Sequence, residues 1–385
     1  MDKRKHKITF FSSLMKFLTI TCLVGLLLSY LCPYVHPASF WPLPFFGLAY
    51  PVIFIFSLLF LIYWAIRRSR WFFVVLVVIL IGGKLHLRTI SMPVGLEELP
   101  TDPEMETLKL LSYNVRLFDL YNYEENKYEN RNAIFNFLKE QQADVVCFQE
   151  FYQQDRPTVF PTRDTLTSIL SAKFYHERYS HKLSGRQNFG IAMFSKYPMI
   201  ARGDVIFEDP ENKDNNYCIY ADIVKGNDTL RIYNVHLQSI KFQKDDYALF
   251  GNQEMTAGEQ KSTLRLLLDK LRIAYPKRAD QAKKVVEHME QSPYPVIVCG
   301  DFNDTPMSYS YNTFVSRYTD AFRNSSSGLG VTYAGKVPAG RIDYIFHSKE
   351  IHSANFQVQK DVFSDHRAIS CEVWIPRKQE VSEQP

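Results

Sequence analysis

Six short stretches of this chain place carboxylates, amides or imidazoles where apolar runs are interrupted or end. They are Leu-Leu-Ser-Tyr-Asn114, Ala-Asp-Val-Val-Cys-Phe-Gln-Glu150, Ile-Tyr-Asn234-Val-His236, Val-Ile-Val-Cys-Gly-Asp301-Phe-Asn303, Arg-Ile-Asp343-Tyr-Ile-Phe and Ser-Asp365-His366. Two-residue spacing puts Asn234 and His236 on one face of a strand, and Asp301 and Asn303 follow the same spacing. Singly, each has a structural explanation, because Asn and Asp cap strands and turns and a lone histidine is commonly a satisfied core residue. Together they supply hard oxygen ligands and hydrogen-bonding imidazoles, the groups that a divalent-ion phosphoryl site needs. No HExxH and no Cys/His ligand spacing is present, which argues against zinc.

The apolar runs that carry these residues read as strands: Leu108–Val115, Val145–Phe148, Gly190–Ser195, Tyr217–Val224, Leu230–Leu237, Val296–Cys299, Ile342–Phe346 and Ala368–Trp374. Many are apolar on both faces and must be covered on both sides. Helical periodicity is found in Asn130–Gln141, Lys261–Tyr275 and Arg278–Gln291, and Lys241–Gln260 reads as a long loop. Strands interspersed with a few helices imply one layered domain with buried sheets and outer helices. Arg278 and Gln281, one helical turn apart, are expected to be surface or packing residues. Cys147, Cys218, Cys299 and Cys371 lie inside strand-like segments without CxxC pairing, as buried apolar thiols do.

The chain has 385 residues with 45 Lys+Arg, 41 Asp+Glu and 46% hydrophobic residues. It is too apolar for disorder and too long to need disulfide staples. Residues 1–100 hold ten Lys/Arg against three Asp/Glu, and the rest holds 35 against 38. The positive excess therefore belongs to the N-terminal part, and no polyanion-binding surface is implied for the remainder. That N-terminal part has three apolar runs, Phe17–Cys32, Phe45–Ile66 and Trp71–Gly83. The second is long enough to cross a hydrocarbon layer of roughly 30 Å, and the third spans only if Lys84 and Arg88 reach the interface. Residues 1–90 are expected to be a membrane anchor of three transmembrane helices, 91–106 a linker, 107–376 the catalytic domain and 377–385 a polar tail. Basic residues at 3–7 and 67–70, with none in the Pro33–Pro44 connection, put the N-terminus inside. Three spans then deliver the catalytic part to the outer, periplasmic side of a bacterial-type cytoplasmic membrane, whereas a third run lying only in the interface leaves it in the cytoplasm.

The series SYN114, DVVCFQE150, GIAMFSKYP, YNVH236L, GD301FN303, RID343YIF and SD365H366 resembles the endonuclease/exonuclease/phosphatase superfamily, from about Leu108 to Trp374 and in family order. The resemblance implies an α/β four-layer sandwich, two packed β-sheets flanked by helices. It implies that Glu150 is the main ligand of Mg²⁺ or Mn²⁺, with Asn114 beside it and Asp365 as a further ligand. His366, held by Asp343, would contact the scissile phosphate or help activate water. Asp301 would lie against the attacking water or the leaving group, and Asn303 would orient the phosphate. His236 matches a histidine that donates to phosphate or leaving oxygen in the sphingomyelinase-like and deoxyribonuclease-like branches. Asn234 and Arg186 are expected on the substrate side. Abasic-site nucleases of this superfamily carry an acidic residue where this chain has Arg116, which argues against that branch.

The expected function is hydrolysis of a phosphodiester by a membrane-anchored, divalent-metal-dependent enzyme. The alternatives are a phosphomonoesterase, a lipid phosphodiesterase, or a catalytically inactive binding or scaffold protein. The partners expected are a phosphoester substrate, with nucleic acid, lipid headgroup and small molecule all left open, and the lipid bilayer through the N-terminal helices; no protein partner is inferred. The acidic balance of the catalytic part, without a Lys/Arg run interleaved with aromatics, argues against nucleic acid.

Overall fold

The computed structural model describes residues 2–93, 95–100, 106–122, 128–158, 160–207, 217–240, 256–335 and 339–375. At the N-terminus lie α1 (Asp2–Leu31), α2 (Leu43–Ile66), α3 (Trp71–Ile81) and α4 (Gly83–Thr89). Phe11–Leu31 and Leu43–Ile66 are long and apolar enough to cross a membrane. Their outward side chains stay uncovered, among them Phe17, Val52, Ile55 and Ile62, an exposed apolar surface of the kind that marks an interaction with a membrane or another protein. Inside the bundle the indole N–H of Trp64 donates to Thr19 Oγ1 at 3.0 Å.

The third expected span is a bent pair rather than one straight helix. Its 11 residues in α3 reach about 16 Å at 1.5 Å per residue, half a hydrocarbon layer. The chain then bends by 63° into α4. A Cβ on Gly82 at the bend would meet the Tyr30 ring at 2.3 Å, so a larger residue there would have to displace that ring. The linker is docked as well: Ser91 bridges Gly328, and Glu97 accepts the backbone N–H of Ser353.

The described residues of the remainder contain twelve strands. These are β1 (Leu108–Asn114), β2 (Val145–Gln154), β3 (Phe174–Leu183), β4 (Gln187–Ser195), β5 (Met199–Val205), β6 (Tyr217–Lys225), β7 (Asp228–His236), β8 (Val296–Asp301), β9 (Thr319–Asp320), β10 (Asp343–His347), β11 (His352–Val358) and β12 (Ile369–Trp374). They form two six-stranded sheets of order β11-β12-β1-β2-β4-β3 and β5-β6-β7-β8-β10-β9. Among the described helices, α5 (Glu129–Gln141) and α6 (Thr162–Ile169) cover the first sheet. The second is covered by α7 (Ala257–Glu290) and α8 (Tyr309–Val315). A short α9 (Ala321–Ser325) follows β9. The expected four layers are therefore present. The two helices expected at 261–275 and 278–291 are one helix that runs through Pro276, which forfeits one backbone hydrogen bond without ending it. Of the loop expected at 241–260, residues 241–255 lie outside the described residues, as does the expected tail.

Strand period explains where the polar residues go. On β1, Leu108 and Leu110 face the core between the sheets, whereas Leu111 and Tyr113 face the helices. Ser112 and Asn114 share the parity of Leu110, so they continue the inter-sheet face. By the same count Gln149 follows Cys147, Asn234 and His236 follow Ile232, and Asp301 follows Cys299. Pairs β1–β2 and β7–β8 are parallel, so these C-terminal ends lie together. The inter-sheet layer is thus apolar along its length and polar at one end.

Where α4 meets the second sheet, Arg341 Nη1 donates to Asp320 at 2.8 Å and both side chains are buried. Arg341 Nη2 donates to the Arg88 carbonyl at 2.7 Å. Removing one member of such a pair strands the other charge, at a cost of about 3–5 kcal/mol. Asp320→Ala is therefore expected to lower the thermal midpoint of the full chain in detergent clearly, and an unchanged midpoint would contradict this account.

Candidate active site

The row on the second sheet is set by register: His236 lies across from Asp301 on the neighbouring parallel strand, and Asp343 lies across from Asp301 on the other side. Gly300 precedes Asp301 with φ near +145°, and a Cβ there would strike the Val235 carbonyl at 1.9 Å. Only glycine lets β7 and β8 approach this closely.

Asp301 is the hub. Its Oδ2 accepts from Asn114 Nδ2 at 2.9 Å, which joins the two sheets, and its Oδ1 accepts the backbone N–H of Asn303 at 2.8 Å. The Nε2 atoms of His236 and His366 each lie 3.6 Å from Oδ2. His366 is turned by its other nitrogen, with Nδ1 3.0 Å from Asp343 Oδ2. Burial alone would lower the His366 pKa, but Asp343 and then Asp301 hold it well above the ordinary histidine value. Burial pushes the Asp343 carboxyl up, and His366 opposes that. Asp301, Asp343 and His366 form a buried cluster that could hold a metal ion, although the His366–Asp343 hydrogen bond already engages two of them.

Glu150 is not at a strand end, as the sequence suggests, but at a bulge inside β2, where pairing with β4 slips between Phe148 and Phe151. Its φ is +48°, a left-handed conformation costing about 1–2 kcal/mol in a non-glycine residue. A bulge re-aims a side chain, here toward His236, Asp365, His366 and Asp301, whose charges it feels. Burial raises its pKa, His236 and His366 lower it, and Asp365 and Asp301 raise it further. Asn303 (φ +53°) and Arg116 (φ +43°) share that conformation, so backbone strain gathers around the site. Arg116 Nε lies 3.8 Å from Asp365.

Asp365 and His366 sit on a pinned loop. Ser364 Oγ donates to the Asn114 carbonyl at 2.8 Å, and Ala334 donates to the Asp365 carbonyl at 2.7 Å. The Tyr333 ring meets His366 edge-on at 5.2 Å. The residue types suit a hard cation: Glu150, Asp365 and Asn114 carry oxygens, that of Asn114 already accepting the Arg116 N–H at 3.2 Å, and neighbouring carboxylates destabilise the charge on Glu150. The site fits a phosphoryl group too, because the buried His236 Nε2 has no hydrogen-bond partner.

The two residues expected to contact substrate have protein partners. Asn234 is fully buried; its Nδ2 donates to the Phe148 and Ala192 carbonyls at 3.0 and 2.8 Å, and its Oδ1 accepts from Gln149 at 2.6 Å. It is a tie between the sheets, one step beneath the site. Arg186 is exposed at the β3–β4 hairpin, with its carbonyl accepting from the Asp155 N–H. Its guanidinium donates to the Asp155 carbonyl at 3.4 Å. The close approach expected at the glycine before Asp301 is present at Gly300, whereas Gln149 and Ser364 are not singled out by the sequence; the parity of Gln149 with Cys147 is the available signal. Of the two readings for Arg278, surface or packing, burial decides for packing, and its Nε donates to the Gln238 carbonyl at 2.6 Å. Gln281 accepts the N–H of the same residue at 2.8 Å.

A sequence profile of the endonuclease/exonuclease/phosphatase family matches residues 111–366, more than half of the chain and every residue of this cluster. The chain belongs to that family, whose members are phosphoester hydrolases and generally use a divalent metal. A second profile, a domain of unknown function (DUF8431), matches residues 12–89. No curated protein matches the chain significantly. Among solved structures, a family protein of Bacteroides thetaiotaomicron is similar with a TM-score of 0.51 at 16% identity, covering 71% of this chain and 97% of that one. A mannosyl-6-phosphatase of the same organism has a TM-score of 0.48 at 16% identity, covering 69% and 99%. Humanized D. rerio TDP2 has 0.46 at 16%, covering 69% and 98%. Such likeness is one of fold.

Asn234→Ala strands two buried carbonyls and the Gln149 amide, each worth about 1–3 kcal/mol. It is expected to lower the thermal midpoint strongly; a midpoint unchanged, with only the KM of a phosphoester substrate raised, would return Asn234 to a substrate-contacting role.

Proposed function

We propose that this protein is a membrane-anchored, divalent-metal-dependent phosphodiesterase. The observation that carries the reading is the convergence on Asp301 of two imidazoles and the Asn114 amide, with Glu150 aimed at the same point by its bulge. Glu150, Asn114 and Asp365 would hold Mg²⁺ or Mn²⁺. When bound, the ion supplies charge neutralisation at a phosphoryl oxygen. The chain's own groups do the rest. Asp343 orients His366 so that its Nε2–H faces the phosphate, and the protonated ring offsets negative charge there. Asp301, fixed by Asn114 and the Asn303 N–H, accepts the proton of the attacking water. The water oxygen bonds to phosphorus, the bond to the leaving oxygen breaks, and His236 donates a proton to that oxygen. Asn303 steadies the phosphate.

The full chain in detergent is expected to hydrolyse bis-p-nitrophenyl phosphate faster than p-nitrophenyl phosphate, with Mg²⁺ and not with chelator. Glu150→Gln and His366→Ala should each lower turnover by roughly 10²–10⁴-fold. Chelator-insensitive turnover, or turnover that survives both substitutions, would sink the assignment. Faster monoester hydrolysis would make the enzyme a phosphomonoesterase.

The catalytic domain is proposed to face the outer, periplasmic side of a bacterial cytoplasmic membrane. This is supported by where the domain rests: on the 32–42 connection and on α4, through His36–Asp280 at 3.2 Å and the Arg341 contact with Arg88. The basic segments 3–7 and 67–70 lie at the opposite helix ends, as cytoplasmic ends do. Alkaline phosphatase fused after Pro385 is expected to be active in intact cells; a fusion active only when retained inside would reverse the topology.

A further inference from the structure

Helix α7 changes surroundings at Pro276. Beyond it, Ala282, Val285, Val286 and Met289 pack on the second sheet. Ahead of it, Leu267, Leu271 and Tyr275 form a small cluster with Ile240 and with Phe45 from the first turn of α2. The Phe45 and Tyr275 rings meet edge-on at 5.9 Å. Leu264 and Leu268 continue the stripe of Leu271 and Tyr275, at helical spacing on one face. There the cover ends: Leu264 is 49% exposed and Leu268 38%. Residues 257–275 carry Lys261, Arg265, Lys270 and Arg272 against Glu259 and Asp269, a basic excess on an otherwise acidic catalytic part.

The anchor fixes what lies beside this stripe. Arg272 places its guanidinium over the Trp41 ring at 5.0 Å. Trp41 and its neighbour Phe40 are exposed in the connection between α1 and α2. Aromatic rings at the ends of membrane spans mark the headgroup layer. A bilayer around α1 and α2 therefore ends at the level of Trp41 and Phe45, which is where α7 touches them. Uncovered leucines beside basic residues at that level have the chemistry of a helix lying in the interface.

We propose that the N-terminal half of α7, residues 257–275, is a membrane-surface helix, seated among the headgroups of the leaflet next to the catalytic domain and favouring anionic lipid. The inference rests on the anchor reading and not on the hydrolase reading. It has a consequence for the site. Ile240, in the α7 cluster, lies a short stretch of chain beyond His236, and Met307, packed into the anchor's own cluster, lies as short a stretch beyond Asn303. Both loops leaving the catalytic strands thus run onto the headgroup layer, where phosphoesters of membrane lipids are concentrated.

The test uses the full chain in nanodiscs of phosphatidylcholine and phosphatidylglycerol, with the wild-type chain as the labelling blank. A bimane label is placed in turn at Leu264→Cys, Leu268→Cys, Glu287→Cys and Ile62→Cys, all exposed positions. Nitroxide attached to lipid headgroups is expected to quench labels at 264 and 268 several-fold more than the label at 287. Equal quenching at the three positions would overturn the proposal. Nitroxide deep in the acyl chains should quench the label at 62; its failure would refute the anchor reading instead. None of these readings requires turnover, so an inactive protein would leave the result standing.

Discussion

The hydrogen bond from Asn114 to Asp301 is the joint on which the rest depends. It is buried, it links the first sheet to the second, and it lies where the apolar layer between them gives way to polar groups. A sandwich held by apolar contacts alone has little to fix how its sheets slide on one another. A directional bond between an amide and a carboxylate, both taken from water, tolerates little displacement. One step deeper, Asn234 and Gln149 repeat the device with neutral amides. These two ties register Glu150 of one sheet against His236, Asp301 and Asp343 of the other.

That arrangement has costs, and the fold supplies the compensation nearby. Carboxylates crowd together out of water, which pushes Glu150 and Asp343 upward in pKa. Three site residues sit in left-handed backbone conformations. Against this stand the apolar layers on each side. Phe148 and Phe151, which bracket the Glu150 bulge, are fully buried and pack with Phe194 and Phe118. A strained, charge-crowded end on a well-packed scaffold is what a site held ready for a cation and a phosphate requires.

The parity of apolar and polar residues made much of this legible in the sequence. Period two places Asn114, His236, Asp301 and Asp343 on one face once their strands are recognised, and the motif order pointed to the fold. What it did not reveal depends on tertiary context. Glu150 reads as a strand end because a bulge has no local signature. Asn234 has the same parity as His236 and differs only in depth, which spacing does not encode. Arg278 reads as either a surface or a packing residue, and only the contact with the segment after His236 decides for packing. Continuation of α7 through Pro276 and the bend at Gly82 are likewise set by neighbours, the second by the Tyr30 ring. Edge strands such as β3 and β5 carry mixed polarity and lack the apolar runs that marked the central ones.

The N-terminal helices and the two-sheet domain are not simply strung together: Ile240 after β7 packs with Phe45 of α2, and Met307 after β8 packs into the N-terminal helical cluster. The central claim is that Glu150 and Asn114 from one sheet and the Asp301 row from the other build a single cation-dependent site. Electron paramagnetic resonance of Mn²⁺ added to the metal-free full chain tests it most directly, beside Glu150→Ala. Saturable binding that the substitution abolishes is the expected result. Absence of binding, or binding that persists without Glu150, would contradict the account.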